Sequence, residues 1–202
     1  MKRLAIVLLA WGAAYAAPFS HKFHLNLKLQ CASCHPAAAT STKATDNLLP
    51  VKPACRPCHE DAQIPAPAPT RVVAFNHALH LKMGNIAPLL AAAIDKKTYL
   101  QPPGEIRRHL NSTNACEACH RGLSESDAVS PAAMPKMADC IVCHTEIDNP
   151  FSCEKCHAKD APLKPASHVP SFLSDHTSGK LGLDKASCVV CHGRNFRCLG
   201  CH

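Results

Sequence analysis

Fourteen cysteines punctuate this 202-residue chain, and every one of them falls in a C-x-x-C-H motif. The seven motifs pair Cys31 and Cys34 with His35, Cys55 and Cys58 with His59, and Cys116 and Cys119 with His120. They continue with Cys140 and Cys143 before His144, Cys153 and Cys156 before His157, Cys188 and Cys191 before His192, and Cys198 and Cys201 before His202. Two thiols three positions apart match the two vinyl edges of one porphyrin, and the next histidine reaches the iron from the same side. This is the attachment signature of c-type haem. A zinc ribbon uses C-x-x-C pairs as well, but it does not require histidine directly after the second cysteine. A disulfide framework suits an exported chain but gives those seven histidines no role. The expected cofactor is therefore covalent haem c, seven groups per chain.

The histidine count carries the next step. Of 14 histidines, seven close the motifs as proximal ligands. The other seven are His21, His24, His77, His80, His109, His168 and His176. One distal histidine for each haem would use them all, making every iron bis-histidine. Methionine is the other common sixth ligand. Met83, Met134 and Met137 are read as packing or loop residues.

The elements that must position these ligands begin with an export signal. Lys2 and Arg3 precede an apolar run from Leu4 to Ala14, and Ala14-Tyr15-Ala16 offers a small-x-small cleavage site. The run falls short of the roughly 20 residues a membrane span requires. The expectation is a signal peptide over 1–16, a mature chain with no integral membrane segment, and a periplasmic or extracellular location. Net charge falls from +7 to +5 once Lys2 and Arg3 depart. Haem propionates would carry the holoprotein to about −2 oxidised and about −9 reduced if all were ionised. Basic residues are scattered rather than striped, which argues against nucleic acid as a partner.

Three blocks are expected: a dihaem module over 17–64, a trihaem module over 71–157 and a dihaem module over 165–202. The alanine–proline stretch 63–70 reads as an extended connector between the first two. With seventeen prolines and few large apolar side chains, the chain should depend on porphyrin for much of its apolar mass. Leu89–Lys97 reads as a short helix with Pro88 near its start. No alternation is sustained enough for a sheet. The segments 83–114 and 122–138 are long for a haem wrapper, and either packing or docking would account for them. The chain stops on His202, which places the seventh haem near the surface as an expected port for electrons.

Phe19-Ser20-His21-Lys22-Phe23-His24 and Phe75-Asn76-His77-Ala78-Leu79-His80 are two copies of one element, Phe-x-His-x-x-His, each upstream of C-x-x-C-H motifs. That arrangement resembles the class III multihaem cytochromes c, the small trihaem and tetrahaem electron carriers, over roughly 17–64 and 71–157. The resemblance implies a multihaem cytochrome c fold, mostly irregular, with short α-helices wrapped around stacked haems and little or no β-sheet. It also implies that His21 ligates the haem on Cys31 and Cys34, and His77 the haem on Cys116 and Cys119. By the same resemblance, His24 and His80 each reach a neighbouring haem.

Two strong axial ligands suit outer-sphere electron transfer, and histidine in place of methionine favours low potential. These readings predict a soluble periplasmic relay, with redox proteins such as periplasmic or outer-membrane cytochromes as partners and a porin as a further candidate. The alternative is a haem-chain subunit of a porin–cytochrome conduit or an extracellular cytochrome filament. A multihaem reductase ranks below both, because no variant C-x-x-C-K motif occurs. The chain is not expected to be an enzyme.

Overall fold

In the computed structural model, residues 19–67, 69–144, 153–182 and 185–192 are described, with side chains of 185–187 excepted. The expected signal peptide and the seventh motif, Cys198 to His202, lie outside the described residues.

The regular structure is short helices and turns. Helices α1 (His21–Asn26), α2 (Cys31–Cys34), α3 (Lys52–Cys55), α4 (His77–Lys82), α5 (Ala87–Asp95), α6 (Met137–Ile141), α7 (Phe172–Thr177) and α8 (Lys185–His192) follow in chain order. Among the described residues, six 3-10 turns lie between them. Among the described residues there is no strand, only one isolated antiparallel bridge between Val72 and His157. Helix-poor and without sheet over the described residues, this architecture agrees with a multihaem-cytochrome type of fold. No described helix is long and apolar enough to cross a membrane.

Local sequence explains the stops and starts. Proline opens α3 and α5 in their first turns, where its missing N–H costs nothing. The α5 helix spans Ala87–Asp95, two residues earlier at each end than the sequence pattern suggested. It closes because Lys97 adopts φ 56°, and the amides of Thr98 and Tyr99 both turn back to the Ala93 carbonyl, at 2.8 and 3.1 Å. Such a left-handed residue after a helix satisfies its last carbonyls and ends it.

The α5 helix is also the centre of the polypeptide's own core. One face joins Leu110 and Ala118 through Ala87, Leu90 and Ala91. Ala93 joins Tyr99, Ala138, Ile141 and Val190. The long segment 83–114 thus supplies most of the residues of the first cluster. In 122–138, the turn Leu123–Glu125 packs against α1, and the Lys22 amide donates to the Ser126 carbonyl at 3.1 Å. Met83 and Met134 are exposed, whereas Met137 packs against the second cluster.

Candidate haem-binding sites

Each described motif from the first to the fifth closes one helical turn in the same way. The histidine amide donates to the carbonyl of the first cysteine at 2.9 Å in His35, His59, His120, His144 and His157. That i to i+4 bond sets the two cysteines and the histidine on one side of the turn, since residues three and four apart are neighbours on a helical surface. None of the twelve described cysteines forms a disulfide. Among the described residues, no cluster of three or more His, Cys, Asp or Glu side chains is arranged to hold a metal ion.

The two Phe-x-His-x-x-His elements fold into the same object. Ser20 caps α1 by accepting from the Phe23 amide, and Asn76 caps α4 by accepting from the Leu79 amide. These are favoured N-cap residues. Phe19 stands edge-on to His21 at 4.9 Å and stacks on His24 at 4.5 Å. Phe75 stands edge-on to His77 at 4.6 Å and stacks on His80 at 4.3 Å. In each copy the second histidine's Nδ1 meets the carbonyl four residues earlier: His24 on Ser20 and His80 on Asn76, both at 2.7 Å. If Nδ1 carries the proton, Nε2 is left with its lone pair outward, the state an iron ligand needs.

Opposite these helices stand the motif histidines. Ring centroids are 6.4 Å apart for His21 and His35, and 6.1 Å for His24 and His59. They are 6.3 Å apart for His80 and His144, and 6.2 Å for His168 and His192. A metal–imidazole bond of about 2.0 Å on each side, with each ring centre about 1.2 Å behind its nitrogen, requires a separation of about 6.4 Å. The residues therefore fit axial ligation of an iron between two rings. His35 and His157 turn their Nδ1 atoms to the Leu48 and Arg71 carbonyls, both at 2.7 Å.

His120 and His77 are close enough to interact electrostatically. Burial depresses the His120 pKa first, and His77 depresses it further. His21 and His77 are likewise lowered, chiefly by burial. Their Nδ1 atoms are buried and have no hydrogen-bond partner. The two remaining expected distal residues have no motif histidine paired with them among the described residues. His109 lines an open cleft of ≈ 610 Å³ with Arg108, Arg121, Gly122, Glu125 and Lys136, its Nδ1 3.8 Å from Glu125. His176 stacks on Phe172 at 5.5 Å.

The motifs are also neighbours of one another. Helices α2 and α3 pack together, joining motifs one and two. Asn114 Nδ2 donates to Cys31 Sγ at 3.3 Å, joining motif three to motif one. Val190 of motif six packs with Ile141 of motif four. Burial raises the Cys34, Cys116, Cys140 and Cys191 thiols, and raises Cys119 to about 11. Lesser influences place Cys55 near Cys34 and Cys31 near Cys116, and they bring motif five beside motifs four and six, with Cys156 acting on Cys140 after Asp139 and Cys153 acting on Cys191.

The sequence reading did not anticipate a buried polar network between motifs three and four. Arg121 donates to Asp139 at 2.6 Å, and Tyr99 donates to the other carboxylate oxygen at 2.8 Å. Its only signal in the sequence is a charge flush against a motif, Arg121 directly after His120 and Asp139 directly before Cys140.

A family model described as outer membrane cytochrome MtrC/MtrF-like, domains II/IV, matches residues 25–202. No curated protein and no solved structure matches the chain.

Proposed function

Because the chain belongs to the MtrC/MtrF-like outer membrane cytochrome family, as a multihaem electron-transfer cytochrome, we propose that it is an exported heptahaem relay. In this reading every iron is held between two histidines. The observation that carries it is the set of four ring pairs at 6.1 to 6.4 Å, each joining a motif histidine to one of the spare histidines.

When bound, the haems supply one-electron redox centres. The chain's own residues supply attachment, axial ligation and spacing. His21 and His24 would serve motifs one and two, His77 and His80 motifs three and four, and His168 motif six. His109 and His176 remain for motifs five and seven. Because each Phe-x-His-x-x-His helix offers two ligands three residues apart, it would hold two cofactors side by side. Contacts between motifs then favour a route from motif two through one and three to four, with five and six beyond. Two strong ligands per iron leave no coordination site for a substrate, which favours electron transfer over catalysis.

The first reading of location is the periplasm. The family match favours a second, in which the chain is part of an outer-membrane conduit or extracellular assembly and exchanges electrons with outer-membrane cytochromes or a porin complex. Co-purification with a β-barrel protein would favour the second.

Two measurements test the proposal. Intact mass of the mature protein should show seven covalent haems, and fewer in protein from a competent maturation system would refute the count. His77→Ala should open one iron, giving a high-spin signal and carbon monoxide binding absent from the parent. Unchanged spin state and ligand binding would remove His77 from the ligand set.

A further inference from the structure

We propose that the buried Arg121–Asp139 pair locks motifs three and four together and sets the potentials of their two haems through opposed charges. The inference rests on the haem reading above and goes beyond it, because neither residue is a ligand.

The pair lies in the seam between two sites. Arg121 follows the motif-three histidine, and Asp139 precedes the first cysteine of motif four. Their side chains are only 6% and 2% exposed, and the contact is 2.6 Å. The remaining bonding capacity is largely filled. Arg121 also donates to the Ala118 carbonyl at 2.7 Å. Tyr99 donates to one Asp139 oxygen, and the Lys136 amide donates to the other at 2.6 Å. The charges therefore have fixed positions relative to both motifs.

Both charges lie against residues that would hold the haems: Arg121 adjoins His120 and bonds the carbonyl beside Cys119, and Asp139 adjoins Cys140. In such water-poor surroundings a unit charge acts more strongly than at the surface. A neighbouring cation favours the ferrous state and a neighbouring carboxylate the ferric state. Haem potential responds to local charge and burial in this sense.

A purely structural rivet is the competing explanation. Well-packed apolar residues often replace a buried ion pair without loss of stability. Signs separate the two roles. Asp139→Asn and Arg121→Gln break the same contact but leave opposite charges behind.

The test is a haem-resolved redox titration of the holoprotein, followed by NMR of the haem methyl signals. Asp139→Asn should raise the potentials at motifs three and four, and Arg121→Gln should lower them. The expected shift is about tenfold in the reduced-to-oxidised ratio, or about 59 mV for one electron. The double variant should return toward the parent. Shifts of the same sign in both single variants, or none, would overturn the proposal. Should a single variant fail to accumulate, Tyr99→Phe decides. Loss of its hydrogen bond leaves Asp139 less compensated, so the same two potentials should fall by a smaller amount, and no change would overturn the proposal. Intact mass of the parent isolates the underlying reading, because a parent without haem at these two motifs defeats that reading first.

Discussion

The two Phe-x-His-x-x-His helices are nearly the same object placed in two different settings. Around α1, in residues 19–67, Ser41 is the one buried residue among those described. Around α4, residues 75–144 hold Leu90, Tyr99, Leu110, Ala118, Ile141 and the Arg121–Asp139 pair, all buried. The caps, ring contacts and Nδ1 bonds of the two helices nevertheless agree within a few tenths of an ångström. A histidine-presenting helix is thus specified within six residues, whereas its support comes from elsewhere. The first region leaves Phe23, Leu27 and Val51 exposed and has little core of its own, so its order should depend on cofactor. The second has polypeptide packing to fall back on.

That contrast is open to direct attack. The largest effect is expected when the four cysteines of motifs one and two are replaced by alanine. Hydrogen exchange across 19–59 should then approach unfolded rates, while amides of α5 keep measurable protection. Equal loss in both regions would erase the distinction. Next in size is Leu90→Ala, which removes a fully buried side chain from the first core cluster. It should cost about 2–5 kcal/mol in chemical denaturation, an effect with no counterpart around α1.

The two caps should behave alike if the helices are equivalent. Ser20→Ala and Asn76→Ala should each cost about 0.5–2 kcal/mol, and a large difference would show that the settings reach into the helices themselves. The smallest effect concerns Asp46, whose loop meets the second region where the Ala78 amide donates to the Ser41 carbonyl at 2.9 Å. The Lys43 amide, then the Ser41 hydroxyl and the Thr42 amide, hold the Asp46 carboxyl below its ordinary value. A depressed folded-state pKa stabilises above the unfolded value near 3.8 and loses that contribution as pH falls through the folded value. Asp46→Asn should therefore remove a small part of the acid sensitivity below pH 3.8, measurable as a flatter melting-temperature profile.

What was legible in the sequence is chiefly chemistry that is local in the chain. The motifs, the spare histidines and the Phe-x-His-x-x-His repeats are short-range patterns, and their backbone geometry follows from a single helical turn and a polar cap. Ser20 and Asn76 are themselves readable as caps. The α5 helix is recognisable from its alanine and leucine content, although its C-terminal end falls earlier because Lys97 takes a left-handed conformation that no propensity for lysine suggests. The core around Leu90 was not legible. Alanines at 87, 91, 93, 118 and 138 make close packing possible, but only their long-range arrangement shows it. The Tyr99–Asp139–Arg121 network joins residues 18 and 40 positions apart, beyond any spacing rule. His109 and His176 join the distal set by number alone, since no short-range element of the Phe-x-His-x-x-His kind contains them.

Low-temperature EPR of the fully oxidised holoprotein, with spin quantitation, tests the central claim most directly. Seven bis-histidine irons should give low-spin ferric signals integrating to seven spins per chain, with no high-spin component. A high-spin signal integrating to one or more irons per chain would contradict the account, since at least one haem would then lack its second histidine.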